Sequence, residues 1–235
     1  MVLISAPTSR AVKAAKSLKS IAAARRSKKN PMRNGAPRAW QRMLSGRRLD
    51  LLDPSPLDIE LDDIAHGLAR VMRWNGQTKG AQGFSVAQHC LLVERLCVHW
   101  RPDWPDNYRL AALLHDAPEY VIGDLISPFK AAIGADYKQL ELRLLEAIHM
   151  RFSIPVHLPT QIERTIKRAD TAAAYLEAVQ LAGFEEREAR KIFGVPRDLP
   201  RLALKGLPPQ EAAARFHDQV NKYLRRLAKA DTKLK

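Results

Sequence analysis

The chain has 235 residues, 46% of them hydrophobic and 27% charged, a composition ordinary for a soluble globular protein and long enough for one good-sized domain with appendages. No stretch approaches the ~20 consecutive apolar residues of a membrane span, and residues 1–6 are too short for the apolar core of a secretory signal. The formal net charge of +14 suggests nucleic acid, but it is unevenly placed: 13 of the 39 Lys and Arg residues lie in residues 1–49, which hold no Asp or Glu, leaving 26 bases against 25 acids beyond.

Residues 1–38, rich in Ala, Ser, Lys and Arg, offer little to bury and read as a disordered tail or a marginal helix. The acid-free, Arg- and Ser-rich makeup also looks like an organellar transit peptide, and initiation at Met32 or Met43 is a third reading. From Asp58 the pattern turns helical: Ile64, Leu68 and Val71/Met72 recur at spacings of three and four until Arg73-Trp74-Asn75-Gly76. After a loop with Gly76, Gly80 and Gly83, Ser85 reads as the N-cap of a helix striped by Val86, His89, Cys90, Val93, Leu96 and Cys97. Asp106 is expected to cap an apolar helix over 108–117. Residues 137–152 form an amphipathic pattern, and Thr160-Gln161-Ile162-Glu163 reads as a capping box opening a helix that runs to about Gly183. A final helix is expected over 210–227. No run shows the period-two alternation of strands, so the predicted fold class is all-α. Cys90 and Cys97 lie seven apart on one helix, about 10 Å by helix rise. That is too far for a disulfide with each other, which fits a reducing compartment and a cytoplasmic location.

The strongest chemical signal is Leu113-Leu114-His115-Asp116-Ala117-Pro118-Glu119, with three ionisable side chains at the end of an apolar helix, where desolvation is costly. His115 and Asp116 can approach one ion if the helix ends there and the ion lies beyond its last turn. His89 falls inside an apolar stripe, and Asp170 flanks the stripe Ile162, Ile166, Ala169, Ala173. The bland readings are a capping Asp with a surface His, a satisfied core histidine, and an Asp paired with an Arg. Together, two imidazoles and two carboxylates suit a divalent ion with positions left for water and substrate.

This His…His-Asp…Asp order resembles that of the HD-domain metal-dependent phosphohydrolases. The likeness sharpens through Arg73-Trp74, Ser85-Val86-Ala87-Gln88-His89, His115-Asp116-Ala117-Pro118-Glu119, Gly123-Asp124-Leu125-Ile126-Ser127-Pro128-Phe129-Lys130 and Ile166-Lys167-Arg168-Ala169-Asp170, and is greatest to the bacterial 5′-deoxynucleotidase branch, over roughly residues 59–185. The resemblance implies an HD-domain helical bundle, to which the composition of residues 1–38 adds a flexible basic N-terminal extension. Its metal ligands would be His89, His115, Asp116 and Asp170, holding a divalent ion (Mn, Co, Mg, Ni, Fe or Zn). Glu119 and Asp124 would be the acidic pair near the phosphate, one orienting or deprotonating water and one assisting the leaving oxygen. Arg73 and Trp74 would contact the nucleotide, the indole helping to exclude a 2′-hydroxyl, the bland reading being a helix-end ion pair and a core Trp; Lys130, after Ser127-Pro128, could reach a phosphate oxygen or equally be a solvated surface lysine. Three departures stand out: Gln88 replaces a frequent Glu, the Gly-rich loop 75–84 lacks a Walker ending, and the extensions before 58 and after about 190 fall outside the likeness.

The expected organisation is a basic tail (1–38), an HD phosphohydrolase domain (39–200) and a C-terminal helical extension packing on it (201–235). The expected activity is metal-dependent hydrolysis of deoxynucleoside 5′-monophosphates. Alternatives are a triphosphohydrolase of the dATP type, with Arg42, Arg47 and Arg48 holding a longer phosphate chain, and a nucleic-acid-binding module using residues 10–48. The expected partners are a nucleotide substrate and a second copy of the chain in a homodimer. Nucleic-acid contact by the tail is a further option, and no membrane partner is expected.

Overall fold

The computed structural model describes residues 39–125 and 135–233, so the basic tail and Lys130 lie outside the described residues. Trp40–Lys235 forms one compact unit. It opens with a feature the sequence pattern did not suggest: a two-stranded antiparallel hairpin, β1 (Trp40–Arg42) against β2 (Arg48–Asp50), with Gln41 opposite Leu49. Three-residue strands are too short to display alternation. The hairpin is fixed instead by burial of Met43 and Leu49 and by Ser45, whose backbone N–H and hydroxyl both donate to the buried carboxylate of Asp63 at 2.9 and 2.5 Å.

All other regular structure among the described residues is helical: α1 (Leu61–Leu68), α2 (Val86–Trp100), α3 (Asp106–Leu113), α4 (Glu119–Ile122), α5 (Ala135–Arg151), α6 (Thr160–Gln180), α7 (Glu186–Phe193) and α8 (Pro209–Lys233), with short 3-10 turns at Pro56–Asp58 and Arg73–Gly76. No helix among the described residues is long and apolar enough to cross a membrane. α2 is the central post, packed against α6 on one side and α3 and α8 on others, and α8 also covers α1 and α3. The α2 stripe behaves as its pattern predicts, Val86, His89, Cys90, Val93, Leu96 and Cys97 all being fully buried. Ser85 starts the helix with a capping box, its side chain accepting from the Gln88 N–H while the Gln88 side chain accepts from the Ser85 N–H.

Other helix ends differ from the expectation for one physical reason. At Pro105 and Pro159 the residue before the helix is a proline, whose carbonyl accepts from two first-turn N–H groups: Tyr108 and Arg109 in one case, Ile162 and Glu163 in the other. The main chain thus satisfies the orphan donors, and Asp106 and Thr160 sit inside the helices without capping them. α3 stops at Leu113 rather than at 117, ahead of Pro118, which cannot donate to the Leu114 carbonyl and disfavours helical backbone at Ala117. The chain instead makes tight turns, Ala117 N–H to the Leu114 carbonyl and Glu119 N–H to that of Asp116. α4 lies directly on α1, where a Cβ at Gly67 would come within 2.8 Å of Tyr120 Cβ; only glycine permits that approach.

Candidate metal centre

Three elements deliver the four predicted ligands. α2 carries His89 in its first turns, the turn after α3 carries His115 and Asp116, and the middle of α6 carries Asp170. One ligand atom from each lies within 4.8 Å of all the others. His89 Nε2 is 3.4 Å from Asp116 Oδ2 and 3.3 Å from Asp170 Oδ1, and His115 Nε2 is 3.2 Å from Asp116 Oδ2. Because α3 ends at Leu113, His115 and Asp116 project from a turn and converge, as adjacent residues of a continuing helix would not.

The ring nitrogens pointing away from this cluster are both engaged. His89 Nδ1 lies 2.6 Å from Glu177 Oε1, and His115 Nδ1 lies 2.9 Å from the Ala112 carbonyl. Both acceptors require Nδ1–H, so that in the neutral ring the lone pair lies on Nε2. Both Nε2 atoms are buried and lack a hydrogen-bond partner among the described residues. Two such imidazoles fixed through Nδ1, facing two carboxylates, are a donor set that fits a divalent ion.

The electrostatics point the same way. Burial disfavours a charged imidazole, yet the adjacent Asp116 carboxylate outweighs it and lifts His115 to about 10. His89 is also raised, against burial and the Arg73 charge, by Glu177, Asp116 and Asp170. Asp116, although desolvation pushes it up, is held well below the usual carboxylate range by His115 and His89. A cation at the shared point does for these carboxylates what protons on the imidazoles otherwise do.

Glu177 was not among the residues singled out from the sequence, yet it organises the far side of the centre. It is fully buried and accepts from His89 Nδ1, from Arg73 Nε at 3.2 Å and from Trp74 Nε1 at 3.0 Å. Burial pushes its pKa up, but His89 and Arg73 together bring it below the ordinary value. The readable signal was a lone acid two helical turns beyond Asp170, inside the run Ala172-Ala173-Ala174-Tyr175-Leu176-Glu177-Ala178.

Arg73 joins two carboxylates, donating to Asp124 Oδ2 at 2.9 Å through Nη1 and to Glu177 through Nε. Trp74 and Asn75 both adopt left-handed backbone angles, φ 57° and 50°, a conformation that costs about 1–2 kcal/mol per non-glycine residue. The Trp74 bond to Glu177 and its packing on Phe184 and Phe193, at ring separations of 5.4 and 6.1 Å, hold the turn in place. Glu119 opens α4 with 1% exposure, close enough for its charge to act on Arg73. Gln88 serves the architecture: its side chain donates to the Lys205 carbonyl and accepts from the Leu207 N–H, tying residues 205–207 to the start of α2.

The chain is 58% identical over 193 residues to an uncharacterized protein of Rhodobacter capsulatus, covering 81% of this chain and 98% of that protein. The two belong to one family. A second relative, the uncharacterized protein YfdR of Escherichia coli, is 30% identical over 106 residues, 45% of this chain and 54% of that one. No protein-family model matches. Within the family, this chain carries a helical core in which the buried His89 and the partly buried His115, Asp116 and Asp170 form a group able to hold a metal ion.

Proposed function

We propose that the protein is a metal-dependent phosphohydrolase of the HD-domain type, acting on deoxynucleoside 5′-monophosphates. The observation that carries this reading is the convergence of His89, His115, Asp116 and Asp170 with both imidazoles fixed through Nδ1. A divalent ion held by these four supplies a Lewis acid for a phosphoryl oxygen and a bound water of lowered pKa.

The remaining roles belong to the chain's own residues. Arg73 presents a guanidinium held rigidly by two carboxylates, suited to orienting an anionic phosphoryl group while staying charged. Asp124, accepting from Arg73, acts by positioning that guanidinium. Glu119, buried one turn after Asp116, is the proton carrier between water and the leaving oxygen. The triphosphate alternative draws less support. Arg47 is paired with Glu60, Arg48 lies over the Trp40 ring, and Arg42 donates to the Gly46 carbonyl, so all three serve the hairpin.

The test is one assay of the full chain with Mn²⁺, Co²⁺, Ni²⁺, Mg²⁺ or Zn²⁺ against deoxy- and ribonucleoside mono- and triphosphates. The expected result is inorganic phosphate released from the deoxynucleoside monophosphates, reduced at least ~10³-fold in Asp116→Ala. Release of tripolyphosphate would replace the reading with the triphosphohydrolase. No turnover with any metal, or full activity in Asp116→Ala, would overturn it. Light scattering on the same samples tests the homodimer that goes with this reading.

A further inference from the structure

Beside the ligands lies a cavity of about 340 Å³ between α5 and α6, within the range of small-molecule sites. Its lining includes Asp116 and Asp170 from the metal centre, the apolar side chains Leu145, Leu158 and Ile166, and His149. The last of these has no place in the mechanism above. His149 is only 3% exposed, and its Nδ1 lies 3.0 Å from the Pro155 carbonyl. That carbonyl requires Nδ1–H, so Nε2 carries the lone pair. Nε2 is buried and has no hydrogen-bond partner among the described residues. A buried acceptor left unsatisfied is costly, and here it belongs to a side chain that walls a cavity reaching the metal ligands.

We propose that this cavity receives the base of the nucleotide and that His149 Nε2 accepts a hydrogen bond from an N–H donor on it. The inference rests on the phosphoester reading above and adds the part of the substrate that confers selectivity. A phosphate ester bound at Asp116 and Asp170 must place its organic part against some wall, and the wall joined to those two carboxylates exposes mostly apolar surface, with Glu146, Glu163 and Lys167 also on it. Of the parts of a nucleotide, the base is the one that combines flat apolar faces with N–H donors. The deoxyribose lies directly against the phosphate and so beside the ligands. Burial holds His149 below its ordinary pKa, against the Pro155 carbonyl and the Glu146 charge, so that it offers an acceptor and not a cation. Bases that present an amino or ring N–H are therefore favoured over analogues that lack one.

The closing experiment uses the full chain with Mn²⁺ and two substrates that differ by a single donor: 2′-deoxyadenosine 5′-monophosphate and purine 2′-deoxyriboside 5′-monophosphate, in which hydrogen replaces the amino group. The wild type is expected to favour the first by about tenfold in kcat/KM, the worth of one hydrogen bond. In His149→Phe that ratio falls to about one, and in His149→Gln, which keeps an acceptor oxygen, most of it returns. Calorimetric binding of the two corresponding deoxynucleosides, which are not hydrolysed, gives a second readout with the same expected ratio. A wild-type ratio of one in both readouts overturns the assignment, whether or not either variant folds. So does a tenfold ratio that persists in His149→Phe. If the wild type hydrolyses neither nucleotide with any metal, the phosphohydrolase reading fails, and deoxynucleoside binding alone decides the cavity. Donor-dependent binding abolished by His149→Phe then retains it, and any other result removes it.

Discussion

Two fully or nearly buried glutamates, Glu94 on α2 and Glu177 on α6, have surroundings that separate function from architecture. Glu94, on the side of α2 that meets α8, accepts from the Tyr223 hydroxyl and from Gln219 Nε2. Its partners are neutral and burial dominates, so its pKa is raised. Glu177, where α6 meets α2, accepts from a histidine, an arginine and a tryptophan, and burial is overcome, so its pKa is lowered. Burial alone therefore does not mark a site. What marks it is a carboxylate kept ionised in the interior by cationic groups that are themselves fixed on other elements, which is the arrangement a metal ligand needs behind its imidazole.

The widest separation between the two contacts is expected from the amide substitution at each. Glu177→Gln removes the charge behind His89 and leaves Arg73 with one carboxylate, so affinity for Mn²⁺ falls by about 10- to 100-fold. Calorimetric titration of the folded variant measures this, and an affinity within twofold of the wild type would reduce Glu177 to a packing residue. Glu94→Gln leaves metal affinity unchanged.

The next effect is smaller per unit of pH and concerns protons. A metal ligand must be a neutral imidazole, while His115 titrates at about 10 and His89 is raised as well. Below that range an incoming ion has to displace protons, so affinity rises with pH, by up to tenfold per unit for each proton released. Calorimetry in buffers of different ionisation enthalpy counts those protons. At least one should leave at pH 7.5, and an affinity flat from pH 6 to 8.5 would contradict the ligand assignment.

Much of this is legible in the sequence. The ligands were readable because each interrupts an apolar helical pattern at a point where only a partner makes burial tolerable: His89 in the α2 stripe, His115 and Asp116 before Pro118, Asp170 beside small residues. Glu177 and His149 escaped because one acid in an alanine-rich run, or one histidine after Ile148, looks the same whether it faces solvent or interior. The left-handed backbone at Trp74 and Asn75 was also hidden, since nothing in a tryptophan announces it; a tertiary hydrogen bond to Glu177 imposes it. The hairpin was missed because its strands are stabilised by Asp63, eighteen residues from Ser45, and not by their own alternation.

The smallest expected effect tests the other half of the comparison. The raised pKa of Glu94 means that the folded chain binds its proton more tightly than the unfolded chain. Its contribution is therefore favourable below the ordinary glutamate value of 4.5 and declines as pH rises through the raised value. Glu177 runs the opposite way: its lowered pKa stabilises the fold above 4.5, and that contribution is lost as pH falls through the lowered value. Glu94→Gln keeps the hydrogen bonds without a charge. Relative to the wild type it should gain stability as pH rises from 4.5 towards neutrality. Urea unfolding across that range measures the difference. A variant that loses stability with rising pH would mean that Glu94 is held ionised after all, and that the contact between α2 and α8 is electrostatically like the metal centre.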